Sequence, residues 1–546
     1  MKSNFNADLV HFTAAVEKIT IRKLLASRSQ EYATKTFLID AETGRKYSYI
    51  DFLQKVNAVS NCLWKQGIRQ EDKIALLLPN SPQFLWSFFG VMQLGAVACP
   101  LNTHLKKEEI AFILSNSDSK ALITAEEYLD ISTELLRELK EVLLITWDEP
   151  KTNLNAESFK LLNIKTALTE EQPQLLREVQ ENPPKPDDVA EIVYTSGTTG
   201  KPKGAMLTHH NLIIDARWIA RWNRLTENDR AMCVMPFFHV NGQVVTVMTP
   251  LIHGGSIVLP QKFSVKKFFP LIEQYKVNYV GTVATMLSML LNRVNPRDVQ
   301  EKSSLKIVFC GSAPVPAEVQ MQFEKSYKVP VIEGYGMTET TCRSTFNPLP
   351  PPAALKLGEN DGYRKIGSVG LPLGNEMNIV DENGRPLGPH EIGEIVIRGE
   401  NITKGYYKNP KATQEAFRGG WFHSGDLGYY DEDGYFFVID RKNDMIIRGG
   451  ENIYPREIEE TLYKYPAVKD AACIGIYDEL YGEEVAAFVV LKDNQEAKEE
   501  EIMAFCRKQL ADFKCPKQII IINEIPKSSS GKLLRRELRD KFTNFG

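Results

Sequence analysis

The 546-residue sequence predicts an α/β fold with a large N-terminal domain and a small α+β C-terminal domain. The first observation is length, because a chain of this size exceeds what one compact core organises. The second is an alternation of apolar runs with helical patterns, which is typical of βαβ units around parallel sheets. The third is a change of character after the PLPPPAA segment at 348–354, where short strands and Gly- and Asn/Asp-rich turns begin.

Short apolar runs carry the predicted parallel sheets. The runs KIALLLP (73–79), KALIT (120–124) and EVLLIT (141–146) each predict a buried strand, and the first leads into the helical pattern PQFLWSFFGVMQLGA. The polar, Pro-containing stretch at 171–188 predicts a connection between two parts of this domain. After it, AEIVYT at 190–195 restarts the alternation of strands and helices.

Two later runs mark a candidate ligand crevice. YVGTVAT (279–285) and LKIVFCGSA (305–313) are apolar and end in small residues. Because the carboxyl ends of parallel strands form the crevice in which α/β sheets bind ligands, we expect a site there. Residues 366–440 then predict a small β-rich subdomain. We place the domain boundary after residue 441, which gives domains 1–441 and 442–546.

Composition and charge exclude several classes of protein. The net charge of −4 argues against a nucleic-acid-binding surface. The segment MKSNFNADLVHF lacks a signal-peptide pattern, and no run approaches the roughly 18 apolar residues of a membrane span. The eight cysteines are scattered without a Cys-x-x-Cys motif, which favours unpaired thiols in a reducing compartment. We therefore expect a cytoplasmic protein without a nucleic-acid partner or transmembrane segment.

A glycine-rich loop, YTSGTTGKPKG at 194–204, follows a predicted strand and precedes an amphipathic stretch. Small residues allow backbone N–H groups and hydroxyls to face phosphate oxygens, and Lys201 and Lys203 add positive charge. The spacing is neither that of a Walker loop nor that of the Gly-x-Gly-x-x-Gly dinucleotide motif. From the residues alone, a phosphate cradle and a flexible surface turn are equally good interpretations.

This loop resembles the phosphate loop of the adenylate-forming superfamily, which includes acyl-CoA synthetases, peptide-synthetase adenylation domains and luciferases. The resemblance implies that the loop binds the triphosphate of ATP and that Thr198 also contacts Mg²⁺. The loop residues assigned to ATP on this basis are Thr195, Ser196, Gly197, Thr198, Thr199, Gly200 and Lys203.

A second segment, EGYGMTE at 333–339, is similar to the adenine and metal motif of the same superfamily. The resemblance implies that Thr338 contacts the α-phosphate and that Glu339 binds Mg²⁺, an oxygen-ligand role that suits a carboxylate. A third segment at 311–313 resembles the part that packs on the other side of the adenine. The residues assigned to the adenine and acyl sites are Gly311, Ala313, Glu333, Gly334, Tyr335 and Gly336.

The segment GWFHSGDLG at 420–428 resembles the ribose motif and places Asp426 on the ribose hydroxyls, with Arg441 as its partner. One carboxylate can accept both hydroxyl hydrogen bonds. Asn443 falls at the hinge position, where the superfamily often has Asp or Lys. Asn keeps a backbone pivot there, because it tolerates unusual φ and ψ angles, but it removes any charge effect.

Two C-terminal motifs complete the resemblance, which extends over nearly the whole chain. In RGGENIYPREIE (448–459), Gly449 and Gly450 are assigned to the pantetheine channel of the thioester-forming state. In PKSSSGK (526–532), Lys532 is assigned to the acyl carboxylate and the α-phosphate, whose negative charge it would neutralise. The superfamily alternates between two reactions by rotating its C-terminal domain, and a hinge at Asn443 fits that motion.

The segment FFHVNG at 237–242 bears on the substrate. It lacks the acidic residue that anchors the substrate amino group in peptide-synthetase adenylation domains, so an amino acid substrate is disfavoured. His239 instead resembles the acyl-site residue of acyl- and aryl-CoA ligases, where it borders the carboxylate. The predicted acyl-pocket walls are mostly apolar, which favours a fatty or aryl acid; they are Val240, Asn241, Val283, Met286, Gly311 and Met337.

Three hypotheses follow from the resemblance. The first is an AMP-forming acyl-CoA synthetase that uses ATP, Mg²⁺ and coenzyme A on a small-molecule carboxylic acid. The second is a stand-alone ligase that loads the pantetheine thiol of a carrier protein. The third is a non-catalytic binding relative, which the complete set of motifs argues against. The sequence leaves the oligomeric state open, with a homodimer as one option.

Overall fold

The computed structural model describes residues 17–139, 141–147, 161–164, 174–195, 202–299, 303–313, 315–442, 444–528 and 533–542. The α-helices are α1 Ile21–Glu31, α2 Tyr49–Lys65, α3 Pro82–Leu94, α4 Lys107–Ser117, α5 Leu129–Glu138, α6 Arg177–Gln180, α7 His209–Trp222, α8 Thr249–His253, α9 Val265–Tyr275, α10 Ala284–Arg293, α11 Ala317–Tyr327, α12 Pro410–Ala416, α13 Pro455–Tyr463, α14 Glu499–Gln509 and α15 Arg535–Phe542. A π-helix spans Asn241–Met248. Short 3₁₀ turns cover Glu126–Tyr128, Pro296–Asp298, Thr338–Thr340 and Asp512–Lys514.

The strands form four multi-stranded sheets and one two-stranded ribbon within the described residues. The strands are β1 Thr36–Asp40, β2 Lys46–Ser48, β3 Lys73–Leu77, β4 Val97–Pro100, β5 Ser119–Thr124, β6 Leu143–Thr146, β7 Leu161–Asn163, β8 Val189–Thr195, β9 Lys203–Thr208, β10 Arg230–Met232, β11 Ser256–Leu259, β12 Tyr279–Thr282, β13 Ile307–Cys310, β14 Val331–Glu333, β15 Thr345–Phe346, β16 Leu371–Pro372, β17 Glu376–Val380, β18 Gly393–Arg398, β19 Phe417–Arg418, β20 Trp421–Tyr430, β21 Phe436–Arg441, β22 Ile446–Arg448, β23 Glu451–Ile453, β24 Val468–Asp478, β25 Gly482–Leu491 and β26 Gln518–Ile521.

Two seven-stranded sheets make up most of the large N-terminal part. The first has the order β14-β13-β12-β10-β11-β1-β2 and the second the order β7-β6-β5-β3-β4-β8-β9. All neighbours in them are parallel except β2 on β1 and β9 on β8, which are antiparallel. The apolar runs noted in the sequence are these strands, which confirms the predicted parallel α/β architecture.

The largest apolar cluster joins the two sheets into one body. It includes Phe37 from the first sheet, Ile74 from the second, and Phe52 and Phe89 from the helices between them, all at most 1% exposed. Helix ends follow local sequence signals: Ser81 caps α3 ahead of Pro82, and Gly95 ends it in the left-handed region at φ 85°. Residues of both sheets are therefore held in fixed relative positions.

Two smaller sheets follow. Strands β17, β18, β20, β19 and β21 form an antiparallel sheet, as the turn-rich sequence between 366 and 440 predicts. The last sheet has the order β23-β22-β25-β24, with β26 parallel to β25, and it carries α13, α14 and α15. The predicted fold class, including the small β-rich subdomain and the small α+β C-terminal part, is confirmed.

All eight cysteines are free thiols and seven of them are buried, as the scattered pattern predicts. Among the described residues, no helix has the length and apolar character needed to cross a membrane.

Candidate active site

The phosphate loop begins and ends on an antiparallel hairpin at the edge of the second sheet. Thr195 ends β8 and pairs in register with Lys203, which begins β9. The hairpin holds the two ends of the loop together, which is the placement expected for a phosphate cradle after a strand. The other loop residues assigned to ATP (Ser196, Gly197, Thr198, Thr199 and Gly200) lie outside the described residues, and their assignments stay predictions.

The segment 404–407 pairs with β9 and connects the phosphate loop to the metal motif. The Tyr407 amide donates to the Gly204 carbonyl at 2.8 Å. The Lys203 ammonium lies 5.3 Å from the centre of the Tyr406 ring, and the Tyr406 hydroxyl donates to Glu339 Oε1 at 2.9 Å. Sequence reasoning missed Tyr406, and no motif or spacing marks it.

Neighbouring parallel strands bring the adenine-site segments together. Strands β13 and β14 are in register up to Cys310 and Glu333, so Gly311–Ala313 and Gly334–Gly336 leave the same edge of the sheet. A cavity of about 740 Å³ lies at that edge, lined by Ser312, Ala313, Glu333, Gly334, Tyr335 and Gly336 among others. The crevice predicted from small residues after two apolar runs is present.

A close contact between two backbone segments explains why position 336 of the EGYGMTE segment is a glycine. A Cβ atom on Gly336 would lie 2.0 Å from the Cys342 carbonyl oxygen, which no side chain could tolerate. The chain turns sharply after Glu339, where Thr341 takes a φ of 64° and its hydroxyl donates to the Asn401 carbonyl at 2.7 Å. Thr338 and Glu339 lie on the 3₁₀ turn in between, both partly exposed.

The ribose motif forms a compact polar cluster. Asp426 on β20 and Arg441 on β21 are paired in register, and Arg441 Nε lies 3.5 Å from Asp426 Oδ1. The Tyr335 hydroxyl donates to Asp426 Oδ2 at 2.7 Å, and burial together with the Asp426 charge holds the Tyr335 pKa well above its usual range. Asp426, Arg441 and Tyr335 all line the cavity, so the structure brings together residues far apart in sequence.

Glu333 is a buried carboxyl in the wall of the same cavity. Its Oε1 accepts from the Val315 amide at 3.4 Å, whereas Oε2 has no hydrogen-bond partner among the described residues. Burial raises the pKa of Glu333 to about 7, against a lowering by the nearby Arg456 charge. Arg456 lies at the start of α13, so the C-terminal sheet and its helices close one side of the cavity.

His239 lies between β10 and the π-helix and is partly buried. Burial lowers the pKa of His239 to about 4, so its imidazole is neutral at physiological pH. Four residues on, the Gln243 side-chain amide donates to Glu191 Oε1 and to the Phe237 carbonyl, both at 2.6 Å. Because Glu191 lies on β8, this buried contact ties the strand before the phosphate loop to the segment of His239; sequence reasoning missed it.

Comparison with known proteins identifies the family. The family model described as AMP-binding enzyme matches residues 25–407, and the model of its C-terminal domain matches residues 457–532. The chain belongs to the AMP-binding enzyme family. The predicted resemblance to adenylate-forming enzymes is thereby confirmed.

Relatives of this family member carry CoA ligase names. The chain is 34% identical to the sulfoacetate–CoA ligase of Cupriavidus necator over 95% of its length and 97% of the relative. It is 37% identical to the oxalate–CoA ligase of Arabidopsis thaliana over 89% of its length and 91% of the relative. The structure of the anthranilate CoA ligase AuaEII with anthranoyl-AMP matches with a TM-score of 0.86 at 26% identity, covering 96% and 98% of the two chains. The structure of ATP-bound MatB from Rhodopseudomonas palustris matches with a TM-score of 0.85 at 28% sequence identity, and the match covers 96% of this chain and 100% of that chain.

Not every assigned residue of this AMP-binding enzyme lies at the cavity. Gly449 and Gly450 form the exposed turn between β22 and β23, with φ values of 57° and 90°, and they are not among the described residues that line it. Asn443 and Lys532 lie outside the described residues. Residues on either side of them, namely Arg441, Asp444, Ser528 and Leu533, do line the cavity.

The residues around Glu339 fit Mg²⁺ as AMP-binding enzymes would use it. Glu339 is a partly exposed carboxylate with one oxygen hydrogen-bonded to Tyr406. Within the part of the chain that the structure describes, no cluster of three or more His, Cys, Asp or Glu side chains could hold a metal ion. One protein carboxylate, with phosphate oxygens and water as the other ligands, is a usual environment for Mg²⁺.

Proposed function

We propose that this protein, an acid–thiol ligase of the AMP-binding enzyme family, uses ATP to convert a small carboxylic acid into an acyl-adenylate and then into an acyl-CoA thioester. Pyrophosphate leaves in the first step and AMP in the second. The observation that carries the proposal is the cluster of Asp426, Arg441 and Tyr335 at the cavity, in which Tyr335 belongs to the glycine segment that follows β14. This arrangement suits an adenosine with its α-phosphate directed into the cavity.

The proposed first step joins two anions, so positioning and charge neutralisation account for most of the rate. Asp426 would hold the ribose hydroxyls, and Thr338 would donate to an α-phosphate oxygen. Lys532 would lie between the acid and the α-phosphate. Mg²⁺, bound by Glu339 and assigned also to Thr198, would supply positive charge at the phosphates. His239, neutral because burial lowers its pKa to about 4, borders the acyl carboxylate without adding charge.

The proposed second step needs a different placement of the C-terminal part. We assign residues 1–441 to the adenylating domain and 442–546 to a domain that rotates about Asn443. In the present arrangement the Gly449–Gly450 turn is exposed and away from the cavity. A rotation that brings this turn to the cavity would open the pantetheine channel assigned to it and withdraw Lys532.

The proposal also specifies which carboxylic acid is activated and which thiol accepts the acyl group. Buried apolar walls at Val240, Val283 and Met286 support the predicted fatty or aryl acid. The relatives named for sulfoacetate and oxalate show that small acids with a second charged group are also used by proteins with this architecture. Their CoA ligase names support free CoA over a carrier protein. A cytoplasmic location and a homodimer stay predictions.

A pyrophosphate-release screen tests the proposal. Purified protein is given ATP, Mg²⁺ and one acid at a time, drawn from fatty, aryl and short dianionic acids, first alone and then with CoA or a pantetheinylated carrier protein. We expect acid-dependent pyrophosphate release and a thioester on CoA. A thioester on the carrier protein alone would replace CoA as acceptor, and no acid-dependent release across the panel would contradict adenylation.

A further inference from the structure

Arg343 is a buried cation that forms no ion pair with any residue in the described ranges. Its side chain is 1% exposed, and Nη1 donates to the Gly334 carbonyl at 3.0 Å. Nε and Nη2 are buried without a hydrogen-bond partner, and no carboxylate lies within 4.0 Å of the guanidinium, among the residues that the structure describes. A buried, unpaired guanidinium is costly, so such a group usually has a ligand or an anion as its partner.

The guanidinium lies directly behind the wall of the cavity. A Cβ atom on Gly311 would stand 2.1 Å from Arg343 Nη1, and a Cβ atom on Gly336 would stand 2.8 Å from Arg343 Cα. The acceptor of its one hydrogen bond, Gly334, lines the cavity with Gly336. Because position 311 is a glycine, no side chain there fills the space beside Arg343 Nη1. Arg343 itself is not among the described residues that line the cavity, so an acid would reach it past Gly311 and Gly334.

The backbone of Arg343 is held in place from two sides. Its amide donates to Asp215 Oδ2 at 3.1 Å, and its carbonyl accepts from Asn401 Nδ2 at 2.9 Å. The guanidinium lies over the Phe346 ring, 5.1 Å from the ring centre. This support fixes the side chain before any ligand arrives, which is the arrangement of a binding residue rather than of a flexible surface charge.

Two carboxyl groups face the same region without neutralising Arg343. Burial raises the pKa of Asp215 well above its usual range, against a lowering by Arg343, and raises that of Glu333 to about 7; neither carboxyl forms an ion pair with the guanidinium within the described part of the chain. A further polar atom, Asn241 Oδ1, is buried and has no partner in the part of the chain that the structure describes, while the side-chain amide of Asn241 donates to Ser312 Oγ at 3.1 Å. Next to the cavity wall, Arg343 and Asn241 thus both keep buried polar atoms that have no hydrogen-bond partner among the described residues.

We propose that Arg343 determines substrate specificity by receiving a second anionic group at the far end of the acid. The substrate class is then a small acid with a carboxylate or sulfonate in addition to the carboxylate that is activated. A planar guanidinium with two free donors can bind either group bidentately. The inference rests on the proposed adenylation, because it assigns the acyl end of that site. The apolar walls would contact the carbon skeleton between the two charged groups.

The test compares matched acids that differ only in the terminal group. Suitable pairs are glutarate against 5-oxohexanoate and terephthalate against 4-acetylbenzoate, with kcat/KM measured by pyrophosphate release. We expect the wild type to favour the dianion by at least about tenfold, and Arg343→Met to abolish that preference. Arg343→Lys keeps the charge but loses the planar pair of donors, so it should retain only part of the preference.

A second variant covers the case in which Arg343→Met folds poorly. Arg343→Gln carries no charge but keeps an amide that can donate to the Gly334 carbonyl, as Nη1 does, so it should fold while the ratio of kcat/KM for dianion over neutral acid falls to about one. A purely structural role for Arg343 would lower kcat/KM equally for both members of a pair and would overturn the inference. A wild type that activates only the neutral members would overturn it as well, with adenylation intact. No pyrophosphate release from any acid would instead reject the proposed function, and this inference with it.

Discussion

The two ends of the cavity differ in how far their polar groups are satisfied before a substrate binds. At the ribose end, Asp426 is paired with Arg441 and accepts the Tyr335 hydroxyl. At the acyl end, Arg343 and Asn241 keep buried polar atoms without partners among the described residues. A site prepared for one invariable ligand, the nucleotide, can carry its own internal partners. A site that selects among acids can keep a polar group unpaired until the substrate supplies its hydrogen-bond or ionic partner.

The largest expected effect on activity comes from Lys532, which we assign to a position between the ribose end and the acyl end. Lys532→Ala should reduce adenylation by about 10³-fold, because it removes a positive charge where two anions meet. Pyrophosphate release from acid and ATP measures this step. Thioester formation from pre-formed acyl-AMP and CoA is the control and should change little. An equal loss in both half-reactions would contradict the two-state assignment of the C-terminal domain.

The next effect separates the ribose end from the acyl end. Asp426→Ala should lower kcat/KM for ATP by about 100-fold, because a charged hydrogen-bonding group is lost, and leave the KM for the acid unchanged. Tyr335→Phe removes one donor to the same carboxylate and should cost far less. The double variant should be no worse than Asp426→Ala, since both act through one group. A parallel rise in the KM for the acid would show that the two ends are not independent.

The buried contact between Glu191 and Gln243 links the strand before the phosphate loop to the segment of His239, and its pH dependence is testable. Burial raises the pKa of Glu191 from 4.5 to about 8. The folded protein therefore binds more protons than the unfolded chain in that window, so this group's contribution to stability falls as pH rises from 4.5 to 8. Glu191→Gln keeps the shape without the charge. Its Tm relative to wild type should increase between pH 5 and pH 8, because the wild type loses about 1.4 kcal/mol of unfolding free energy per pH unit across this window.

Exposed Glu141 supplies the matched control for that measurement. Glu141→Gln removes one surface carboxylate, and the pH-dependent difference of Glu191→Gln is measured against this baseline. A flat difference for Glu191→Gln over the same range would mean that Glu191 is ionised in the folded protein, and the assigned direction of its pKa shift would be wrong.

The smallest expected effect concerns Tyr406. Tyr406→Phe removes the hydroxyl that donates to Glu339, and we expect the Mg²⁺ concentration for half-maximal activity to rise by about threefold, in line with the loss of one hydrogen bond. Tyr407→Phe is the control, because the Tyr407 hydroxyl bonds to the remote Asp118 instead. Equal responses of the two variants would argue against a role for Tyr406 at the metal.

Much of the fold was predictable, because periodic apolar runs and turn residues act locally. The strands β3, β8 and β13 are present where those runs predict them, and the predicted crevice is present at the ends of β12 and β13. The pairing of Asp426 with Arg441 was also predicted, through the resemblance of two motifs. The contacts of Tyr406, Glu191 and Arg343 were not predicted, because each joins segments far apart in sequence.

Two further features escaped prediction for physical reasons. The π-helix at Asn241–Met248 depends on packing against α7 and β12, since its composition alone would suit an α-helix. Arg343 stands in a run of small and polar residues, TTCRST, where a cation is ordinarily solvent-exposed. Only the folded chain shows that its guanidinium lies against Gly311, and our proposal of a substrate with a second charged group starts from that contact.

The distribution of buried and accessible thiols allows the C-terminal part to be labelled selectively. Seven of the eight cysteines are buried, whereas Cys515, in the C-terminal part just after the Asp512–Lys514 turn, is partly accessible. A maleimide dye on the native protein should therefore react first at this position. With a second label in the N-terminal domain, energy transfer would follow the orientation of the two parts during turnover. The same distribution means that a thiol-reactive colorimetric reagent, applied without denaturant, measures chiefly the consumption of free CoA.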